Sequence, residues 1–498
     1  MFLLETTTLI LGTWLVMLIL FSLRKDFLRK KQGQQLPPGP TPLPLLGNFM
    51  VQVNSRMFLK SLLKLREKFG SIYMIYLGPH PVVVLSGYQV LKEALVDQRE
   101  EFSARGRMAV AEYILQGYGI TASNGERWKQ LRRFSLMTLR NFGMGKRSIE
   151  ERIQEEARFL VEALRETKGL PFDPTFFFSR SVSNIICSVV FGNRFDYEDK
   201  RFLSLLRNIN EIMRFMNSTL GLVFSCFSCV MKYLPGPHHR KLKNLVELKD
   251  FVRERVKIHQ ETLDPSSPRD FIDCFLTRMQ QEKENPESEF HAENLVASTV
   301  NLFFAGTETV STTLRYAFLI LLKHPKIEDK VHQEIEHVIG RERRPALEDR
   351  SRMPYTDAVI HEVQRFADII PTGLPRTVTQ DVKLQGYTIP KGTDVYPLLT
   401  TTLHDPEQFS DPKCFNPGHF LDENGSFQKK EAFLPFSTGK RMCPGEGLAR
   451  MELFLFFTTI LQNFTLKPTR DPEDIDLTPE LSTAGHLPRA YTLSVLPR

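Results

Sequence analysis

The chain has 498 residues, 42% of them hydrophobic, and a net charge of +7. Its Lys and Arg residues are spread among many acidic ones and are not interleaved with exposed-looking aromatics, so the composition does not indicate a nucleic-acid-binding protein. No linker, repeat or change of composition divides the chain after its first forty residues, and 38 phenylalanines favour a large aromatic core or an apolar cavity. One large, mostly helical domain is the simplest interpretation.

The N-terminus combines an apolar stretch with a basic flank. Residues 9–23 read LILGTWLVMLILFSL without a charge, and extension back to Phe2 gives about the length that spans a bilayer. No small-residue cleavage site follows, and Arg24, Lys25 and further basic residues come next. We therefore predict that residues 1–31 form a retained signal-anchor with the body of the protein in the cytosol. A cleaved signal peptide is the alternative.

A proline-rich hinge follows at residues 32–48, which end in LPPGPTPLPLLGN. Proline fixes φ and lacks an N–H donor, so this segment should be a stiff, extended spacer. It would orient the remaining domain, residues 49–498, relative to the membrane. A flexible tether or a PxxP ligand for another protein would give a similar sequence.

The stretch NGERWKQLRRF predicts a helix with two polar faces. Helical spacing puts Trp128 and Arg132 together, while Lys129, Arg133 and Arg140 fall on an adjacent stripe. One face could meet an anion and the other a partner protein. A solvated basic face is the alternative interpretation.

Polar residues interrupt a long apolar helical pattern at residues 301–322, which read NLFFAGTETVSTTLRYAFLILL. Glu308 and Thr309 lie in its middle, where burial should exclude them. Glycine lowers helix propensity and hydroxyl groups can bond back to carbonyls, so we expect the helix to open around residues 305–309. A ligand could approach there, whereas a polar stripe in solvent is the alternative.

Two further patterns carry charge or a thiol. Glu362 and Arg365 share one face of a predicted helix, either as an exposed pair or as a buried structural pair. In FSTGKRMCPGEG, Cys443 precedes a strongly helical run. The helix dipole, free N–H groups and Arg441 should favour its thiolate, which could attack a substrate, exchange with a disulfide or bind a metal. No nicotinamide or flavin motif is readable, so reducing power would come from elsewhere.

Together these elements resemble the cytochrome P450 superfamily, specifically the vertebrate microsomal group that metabolises drugs and xenobiotics, often called family two. The most specific match is FSTGKRMCPG, at 436–445, to the haem loop Phe-x-x-Gly-x-Arg-x-Cys-x-Gly. AGTET, ExxR, WxxxR and FNPGHF occur in the expected order. The resemblance implies a mainly α fold: a large helical haem domain with a smaller β-rich region, preceded by one N-terminal transmembrane helix.

The resemblance also implies haem b as the cofactor, with Cys443 as the axial thiolate ligand of the iron. Further haem-binding residues would be Arg105, Trp128, Arg132, Arg376, Arg441 and Phe436. Many relatives carry histidine at the position of Arg376. A buried structural unit behind the haem would consist of Glu362, Arg365 and His419.

By the same resemblance, the protein would be a haem-thiolate monooxygenase that inserts one oxygen atom of O2 into lipophilic xenobiotics, fatty acids or steroids. Glu308 and Thr309 would deliver protons. The substrate pocket would include Ala122, Ala305, Ile370, Leu374 and Ala484. A haem-thiolate isomerase or peroxygenase, or a non-catalytic haem sensor, are the alternatives.

Electrons would come from NADPH through cytochrome P450 reductase, with cytochrome b5 as a second candidate donor. The basic docking residues would be Lys129, Arg133, Arg140, Lys440 and Arg450. The anchor would place the protein in the endoplasmic reticulum membrane, and the apolar stretch 222–237 could also meet membrane lipid.

Pro444 stands where related sequences usually carry an aliphatic residue, and proline has no N–H for the neighbouring sulfur. We hypothesise a more electron-rich thiolate and a lower haem potential. The alternative is that Pro444 occupies the first position of the following helix, where proline is favoured.

Overall fold

The computed structural model describes residues 35–48, 58–142, 147–483 and 485–498. The predicted anchor at 1–31 and Ala484 of the predicted pocket lie outside these residues. The described part of the hinge is hydrogen-bonded to the body: Met74 donates its N–H to the carbonyl of Pro38, and the Asn48 side chain accepts from the N–H of Tyr76, each at 2.8 Å.

Helices make up most of the described chain. They are α1 (Phe58–Phe69), α2 (Tyr88–Lys92), α3 (Ala109–Leu115), α4 (Gly119–Ala122), α5 (Gly125–Asn141), α6 (Arg147–Arg165), α7 (Thr175–Val190), α8 (Lys200–Met216), α9 (Thr219–Met231), α10 (Pro237–Thr262), α11 (Phe271–Gln281), α12 (Ala292–Lys323), α13 (Pro325–Val338), α14 (Pro354–Ala367), α15 (Thr400–Leu403) and α16 (Glu446–Asn463). A π-helical turn (Glu93–Asp97) follows α2, and short 3-10 helices lie at Leu347–Arg352, Pro417–Phe420, Gly439–Arg441 and Pro472–Asp474.

The β structure is smaller, and its strands lie within residues 72–105 and 376–497. The strands are β1 (Ile72–Leu77), β2 (His80–Ser86), β3 (Ala104–Arg105), β4 (Arg376–Thr377), β5 (Val382–Leu384), β6 (Tyr387–Ile389), β7 (Asp394–Leu398), β8 (Phe464–Pro468), β9 (Leu481–Ser482), β10 (His486–Leu487) and β11 (Leu493–Pro497). The largest sheet has the order β1-β2-β7-β4-β3, with β2 and β7 parallel and the other neighbours antiparallel. Three two-stranded sheets pair β5 with β6, β8 with β11 and β9 with β10.

The long helix α12 runs through the main core and packs against α7, α4, α10 and α14. Its residues from Val310 to Leu322 are all buried, so this part of the helix is covered by protein on every face. Beside it, the rings of Phe134, Phe275 and Phe290 meet edge to face at centroid distances of 5.2–5.3 Å. The predicted large aromatic core is confirmed.

Among the helices that the structure describes, none is long and apolar enough to cross a membrane by itself. Taken together, α8 and α9 meet the length and hydropathy of a span, but they are bent by 75° at their junction.

Candidate active site

Cys443 lies in a tight loop that leads into α16. Its backbone N–H donates to the carbonyl of Phe436 at 3.0 Å and closes the loop. Gly439 has a φ of +72°, and a Cβ there would collide with the carbonyl of Leu95, so only glycine lets the loop approach the π-helical turn this closely. The thiol therefore lies at a helix N-terminus, as its sequence context predicts.

The charge state of this thiol differs from the sequence-based expectation. Burial raises the pKa of Cys443 and outweighs the N–H groups of Gly445 and Glu446 and the charge of Arg132, which lower it. Arg441, expected beside the sulfur, donates instead to carbonyl groups of neighbouring loops. The prediction that the protein by itself favours the thiolate is therefore wrong. A bound metal ion deprotonates a coordinating thiol outright, so iron would supply that stabilisation.

Pro444 lies outside the helix that follows it. α16 begins at Glu446, with Gly445 at its N-cap, so the alternative interpretation of Pro444 as the first helical residue is wrong. The sulfur accepts hydrogen bonds from the next two backbone N–H groups, those of Gly445 and Glu446. The effect of Pro444 on a haem potential stays a prediction, which redox titration of Pro444→Leu would test.

Four arginines from distant parts of the chain meet near this loop. We call them the arginine cluster: Arg105, Arg132, Arg376 and Arg441. Arg105 on β3 pairs directly with Arg376 on β4 in the sheet, which sets these two side by side. Arg441 lies over the ring of Trp128 at 3.8 Å, and Arg132 approaches the same ring at 5.8 Å.

The arginine cluster contains more positive charge than the protein neutralises. Within the described residues, no carboxylate lies within salt-bridge distance of any of its four members. The pKa of Arg105 is lowered to about 10, mainly by burial and to a smaller extent by the charge of Arg132. The pKa of Arg441 is lowered to about 8, mainly by burial and further by the charges of Arg105, Arg376 and Arg132. Because guanidinium groups stay protonated in proteins, these shifts mean that a bound anion would relieve a large electrostatic cost.

Unpaired N–H groups point to the same conclusion. Among the residues that the structure describes, Nε of Arg376, one terminal nitrogen of Arg441 and Nε1 of Trp128 are buried without a hydrogen-bond partner. A buried N–H without a partner is rare and costly, so these groups are suited to receive acceptor oxygens. The two propionates of haem would bring two negative charges and four such oxygens. These residues therefore fit the haem that the sequence resemblance implies.

Glu362 and Arg365 form a second cluster of buried charge. Both side chains are 0% exposed, and two hydrogen bonds of 2.7 Å join them. Arg365 also donates to three backbone carbonyls, and Glu362 accepts from the N–H of Asn416. Nδ1 of His419 lies 3.1 Å from both oxygens of Glu362. The buried alternative for the pair is therefore confirmed, and we call this group the glutamate–arginine unit.

α12 passes through residues 305–309 without interruption, so the predicted opening of the helix is wrong. The expected back-bonding does occur, since the hydroxyl of Thr309 donates to the carbonyl of Ala305 at 2.9 Å. Glu308 is buried, and its carboxyl group faces Asn210 and Arg315. Burial raises its pKa, which the charge of Arg315 only partly opposes. Glu308 and Thr309 therefore point to different sides of the helix.

Comparison with known proteins supports what this geometry indicates. Residues 37–493 match the family model of cytochrome P450. The chain belongs to the cytochrome P450 family. Similar curated proteins include cytochrome P450 2A13 of Homo sapiens, 57% identical over 490 residues that cover 98% of this chain and 99% of the relative. Cytochrome P450 2A5 of Mus musculus is 58% identical over 485 residues, 97% of each chain. Cytochrome P450 2G1 of Oryctolagus cuniculus is 57% identical over 470 residues, 94% of this chain and 95% of the relative.

Family membership confirms the predicted mainly α P450 fold, the predicted cofactor and the class of enzyme, while the N-terminal transmembrane helix stays a prediction. This P450 is a haem-thiolate monooxygenase that takes haem b, and its reaction requires O2, a lipophilic substrate and a redox partner. When bound, the haem supplies the oxygen activation that no side chain could perform.

The predicted pocket residues of the P450 come from separate elements. Ala122 ends α4, which is joined to α12 by a hydrogen bond from the N–H of Thr121 to the side chain of Asn301 at 3.1 Å. Ala305 is exposed in the middle of α12, and Leu374 is 38% exposed. Ile370 is half-buried. Exposed apolar side chains on core elements are suited to line a cavity.

The predicted docking residues differ in their exposure to solvent and in their ion pairs. Arg133 and Arg140 are exposed on α5. Lys129 pairs with Glu126 at 2.7 Å, and Lys440 pairs with Glu100 at 2.6 Å, near the surface. Each of these four cations can therefore be reached from solvent.

Arg450 differs from the other docking residues because its side chain is only 21% exposed and makes several contacts at once. It donates to Glu446 at 2.9 Å, contacts Nε2 of His361 at 2.8 Å and lies over the ring of Phe436 at 5.1 Å. These contacts favour a role in holding the Cys443 loop.

Asn124 is a site residue that sequence reasoning missed. Its carbonyl oxygen accepts from the N–H of Arg105 at 2.6 Å and from the guanidinium of Arg441 at 2.9 Å, and its amide donates to the carbonyl of Arg105 at 3.1 Å. Asn124 occupies the N-cap position of α5 but makes no capping bond with its side chain. The asparagine at a helix start was readable, but it predicts a cap and not a support for the arginine cluster.

Proposed function

We propose that this P450 oxidises lipophilic small molecules, namely xenobiotics, fatty acids or steroids, with electrons from NADPH delivered by cytochrome P450 reductase. The observation that carries the proposal is the arginine cluster beside Cys443, whose buried charge has no partner within the described protein. Together with a thiol at a helix N-terminus, it would bind the propionates and iron of haem. Arg105, Trp128, Arg132, Arg376 and Arg441 would hold the propionates.

Glu308 and Thr309 would manage protons on the substrate side. Burial raises the pKa of Glu308 and so favours its protonated form, which can act as an acid. The hydroxyl of Thr309 donates a hydrogen bond to the carbonyl of Ala305, so its lone pairs can accept a hydrogen bond from another group. Because the two side chains face different sides of α12, a water molecule or a rotation of Glu308 would complete the transfer.

The exposed cations Arg133 and Arg140 would attract an acidic partner. The same stripe of α5 carries Met137, which is also exposed and adds an apolar contact. An acidic flavoprotein reductase would dock there through charge complementarity. Cytochrome b5 would use the same surface as a second donor.

A separate apolar surface supports a location at the endoplasmic reticulum membrane. Tyr233 is 77% exposed at the end of α9, and Val230 and Leu234 are exposed beside it. The hinge contributes the exposed Leu43 and Leu46. The hinge and α9 both contact the turn between β1 and β2, so these side chains lie in one region of the molecule. Such a surface would enter the lipid interface beside the predicted anchor.

The proposal is tested with the full-length, haem-loaded protein, reductase and phospholipid vesicles. Lauric acid and propylbenzene serve as probes, and NADPH consumption and products are measured under ¹⁸O2. We expect substrate-dependent NADPH consumption and hydroxylated products that carry the label. Product formation with hydrogen peroxide but not with NADPH and reductase would indicate a peroxygenase. The absence of any product would contradict the proposed function.

Thr309→Val provides a matched variant, because valine keeps the shape of threonine and removes only the hydroxyl group. We expect the yield of labelled product to fall by about 100-fold, the scale of a lost proton-transfer group, while the haem spectrum stays unchanged. An unchanged yield would remove Thr309 from the proton route.

A further inference from the structure

The turn between α8 and α9 contains a buried asparagine whose side-chain amide both donates and accepts a hydrogen bond. Asn217 is 1% exposed and caps the C-terminal end of α8. Its amide nitrogen donates to the carbonyl of Met213 at 3.0 Å. Its amide oxygen accepts from the backbone N–H of Gly485, and its backbone carbonyl accepts from the hydroxyl of Thr483 at 2.9 Å. One residue thus joins a helix end to the tip between β9 and β10.

The same tip is joined on another side to the segment after α14. The N–H of His486 donates to the carbonyl of Ile369 at 3.0 Å, and its ring contacts the carbonyl of Ala367 at 3.2 Å. A Cβ on Gly485 would lie 2.8 Å from the carbonyl of Ile369, so the tip has no space to move closer. Asn217 therefore completes a junction of three segments: the α8–α9 turn, the β9–β10 tip and the segment at 367–370.

An amide side chain is the group that this junction needs. It must accept from Gly485 and donate to Met213 at once, which a hydroxyl or carboxylate of similar length would do less well. The surroundings are buried, so either group left without its partner would carry a desolvation cost. A second contact nearer the surface, the bidentate pair of Arg214 and Glu480, ties α8 to the same hairpin. Since those charges are partly exposed, they constrain the tip less.

We propose that Asn217 is a positioning residue that sets substrate orientation by holding the β9–β10 tip against the α8–α9 turn. The inference rests on the proposed function and on the predicted substrate pocket, which includes Ile370 and, at the tip, Ala484. A lipophilic substrate offers few polar handles, so the shape of the pocket wall decides which carbon is presented for oxidation. A displacement of about 1 Å at such a wall is enough to change reaction rates strongly.

The test compares wild type with Asn217→Ala, Asn217→Asp and Asn208→Ala in the reductase system. Propylbenzene is the probe, because it offers three side-chain carbons and a ring. Asn217→Ala should change the ratio of products by about threefold or more. Asn217→Asp keeps the acceptor for Gly485 and should lie closer to wild type. Asn208→Ala, which removes an exposed hydrogen bond from α8 to Glu247, should keep the wild-type ratio.

Amide hydrogen exchange gives a readout that does not depend on turnover. In Asn217→Ala, peptides that contain Gly485 should exchange about tenfold faster, the equivalent of one lost hydrogen bond. The carbon monoxide spectrum verifies that each variant has folded with haem. If Asn217→Ala does not fold, Gly485→Ala displaces the tip from its other side and should change the product ratio in its place.

Each outcome decides the proposal. Faster exchange together with a changed product ratio supports it. Faster exchange with the wild-type ratio, or wild-type exchange at Gly485, overturns it. A wild-type protein that oxidises no probe would contradict the proposed function instead, and unchanged exchange in Asn217→Ala would still overturn the junction itself.

Discussion

The glutamate–arginine unit and the arginine cluster are both charged and largely buried, yet they differ in one respect. In the glutamate–arginine unit, the carboxylate and guanidinium of Glu362 and Arg365 satisfy each other, and His419 and backbone groups take the remaining positions. In the arginine cluster, cations face one another and several buried N–H groups have no partner in the part of the chain that the structure describes. The first group is complete within the chain, and the second becomes complete only with an anion.

This difference separates stability from function. A buried charge costs several kcal/mol unless it is paired, so a paired unit can be structural, while unpaired cations are kept at a cost for a ligand. Loss of a partner should therefore destabilise the first group. Loss of one cation should leave the protein without haem unharmed and weaken haem binding.

The largest effect is expected for Glu362→Gln, which keeps the size of the side chain and leaves Arg365 without its counter-charge. Removal of one partner of a buried pair costs about 3–5 kcal/mol, so we expect little or no folded haem protein on expression. The yield of the carbon monoxide complex measures this. Glu126→Gln, in the exposed pair with Lys129, is the control and should behave as wild type. A Glu362→Gln protein with the wild-type melting temperature would remove the unit from its structural role.

An intermediate effect is expected for Arg376→Gln, which should not destabilise the haem-free protein but should weaken its binding of haem. Burial and the charges of Arg105 and Arg132 hold the pKa of Arg376 well below its usual range, so its removal relieves repulsion. We expect the melting temperature of the haem-free protein to stay the same or rise. Haem transfer to apomyoglobin should become about tenfold faster, because one charge-assisted hydrogen bond is lost. A lower melting temperature with unchanged haem transfer would contradict the distinction between the two clusters.

Asp368 is a buried carboxyl group near Arg365 of the glutamate–arginine unit, and it should make the stability of the protein depend on pH. Burial raises its pKa to about 8, and hydrogen bonding to Thr400 and the charge of Arg365 oppose this only in part. Since this pKa lies above the unfolded value near 4, its contribution to stability is complete below about pH 4 and is lost as the pH rises to about 8. Asp368→Asn removes that loss, so the free energy of unfolding should rise relative to wild type between pH 5 and 8, by at most about 1.4 kcal/mol per pH unit.

A matched control is available at Asp411, which has a φ of +44° compared with +43° at Asp368 but is exposed. Asparagine tolerates this left-handed conformation, so both substitutions suit the backbone. Urea unfolding across the pH range provides the measurement. If Asp368→Asn and Asp411→Asn show the same pH dependence as wild type, burial does not hold the proton on Asp368.

The smallest effect is expected for cations outside both clusters. Arg133→Gln should slow electron transfer from the reductase by a few-fold at low salt and less at high salt, because an exposed charge acts mainly on association. Lys391→Gln, an exposed cation of the β region, is the control. Stopped-flow reduction of the haem measures both. Equal rates for the two variants would argue against a dock on α5.

Local motifs explain which parts of the site could be read from the sequence. Cys443 and the pair of Glu362 and Arg365 are specified by short spacings, so their placement at a helix start and on one helix face was predictable. Arg105 lies beside Arg376 because β3 pairs with β4. These strands are about 270 residues apart in the chain, and a hydrogen bond from Arg105 to the carbonyl of Pro375 also joins their segments. Strand register at that separation follows from the whole fold and not from local pattern.

Burial is the other property that local pattern did not supply. The sequence placed Cys443 in a helix dipole and predicted a thiolate, but it did not reveal the desolvation that raises its pKa. Asn124 and Asn217 were missed for a related reason. An asparagine near a helix end predicts a cap or turn, and only the tertiary structure shows that its amide instead joins distant segments.

The most direct test of the central claim is the carbon monoxide difference spectrum of the reduced, haem-loaded protein. We predict a strongly red-shifted Soret band, since Cys443 would bind the iron as a thiolate and the arginine cluster would hold the propionates. Cys443→His, which offers a neutral nitrogen ligand, should move the band to shorter wavelength. A wild-type band at that shorter wavelength would show that Cys443 does not bind the iron as a thiolate, and it would contradict the account.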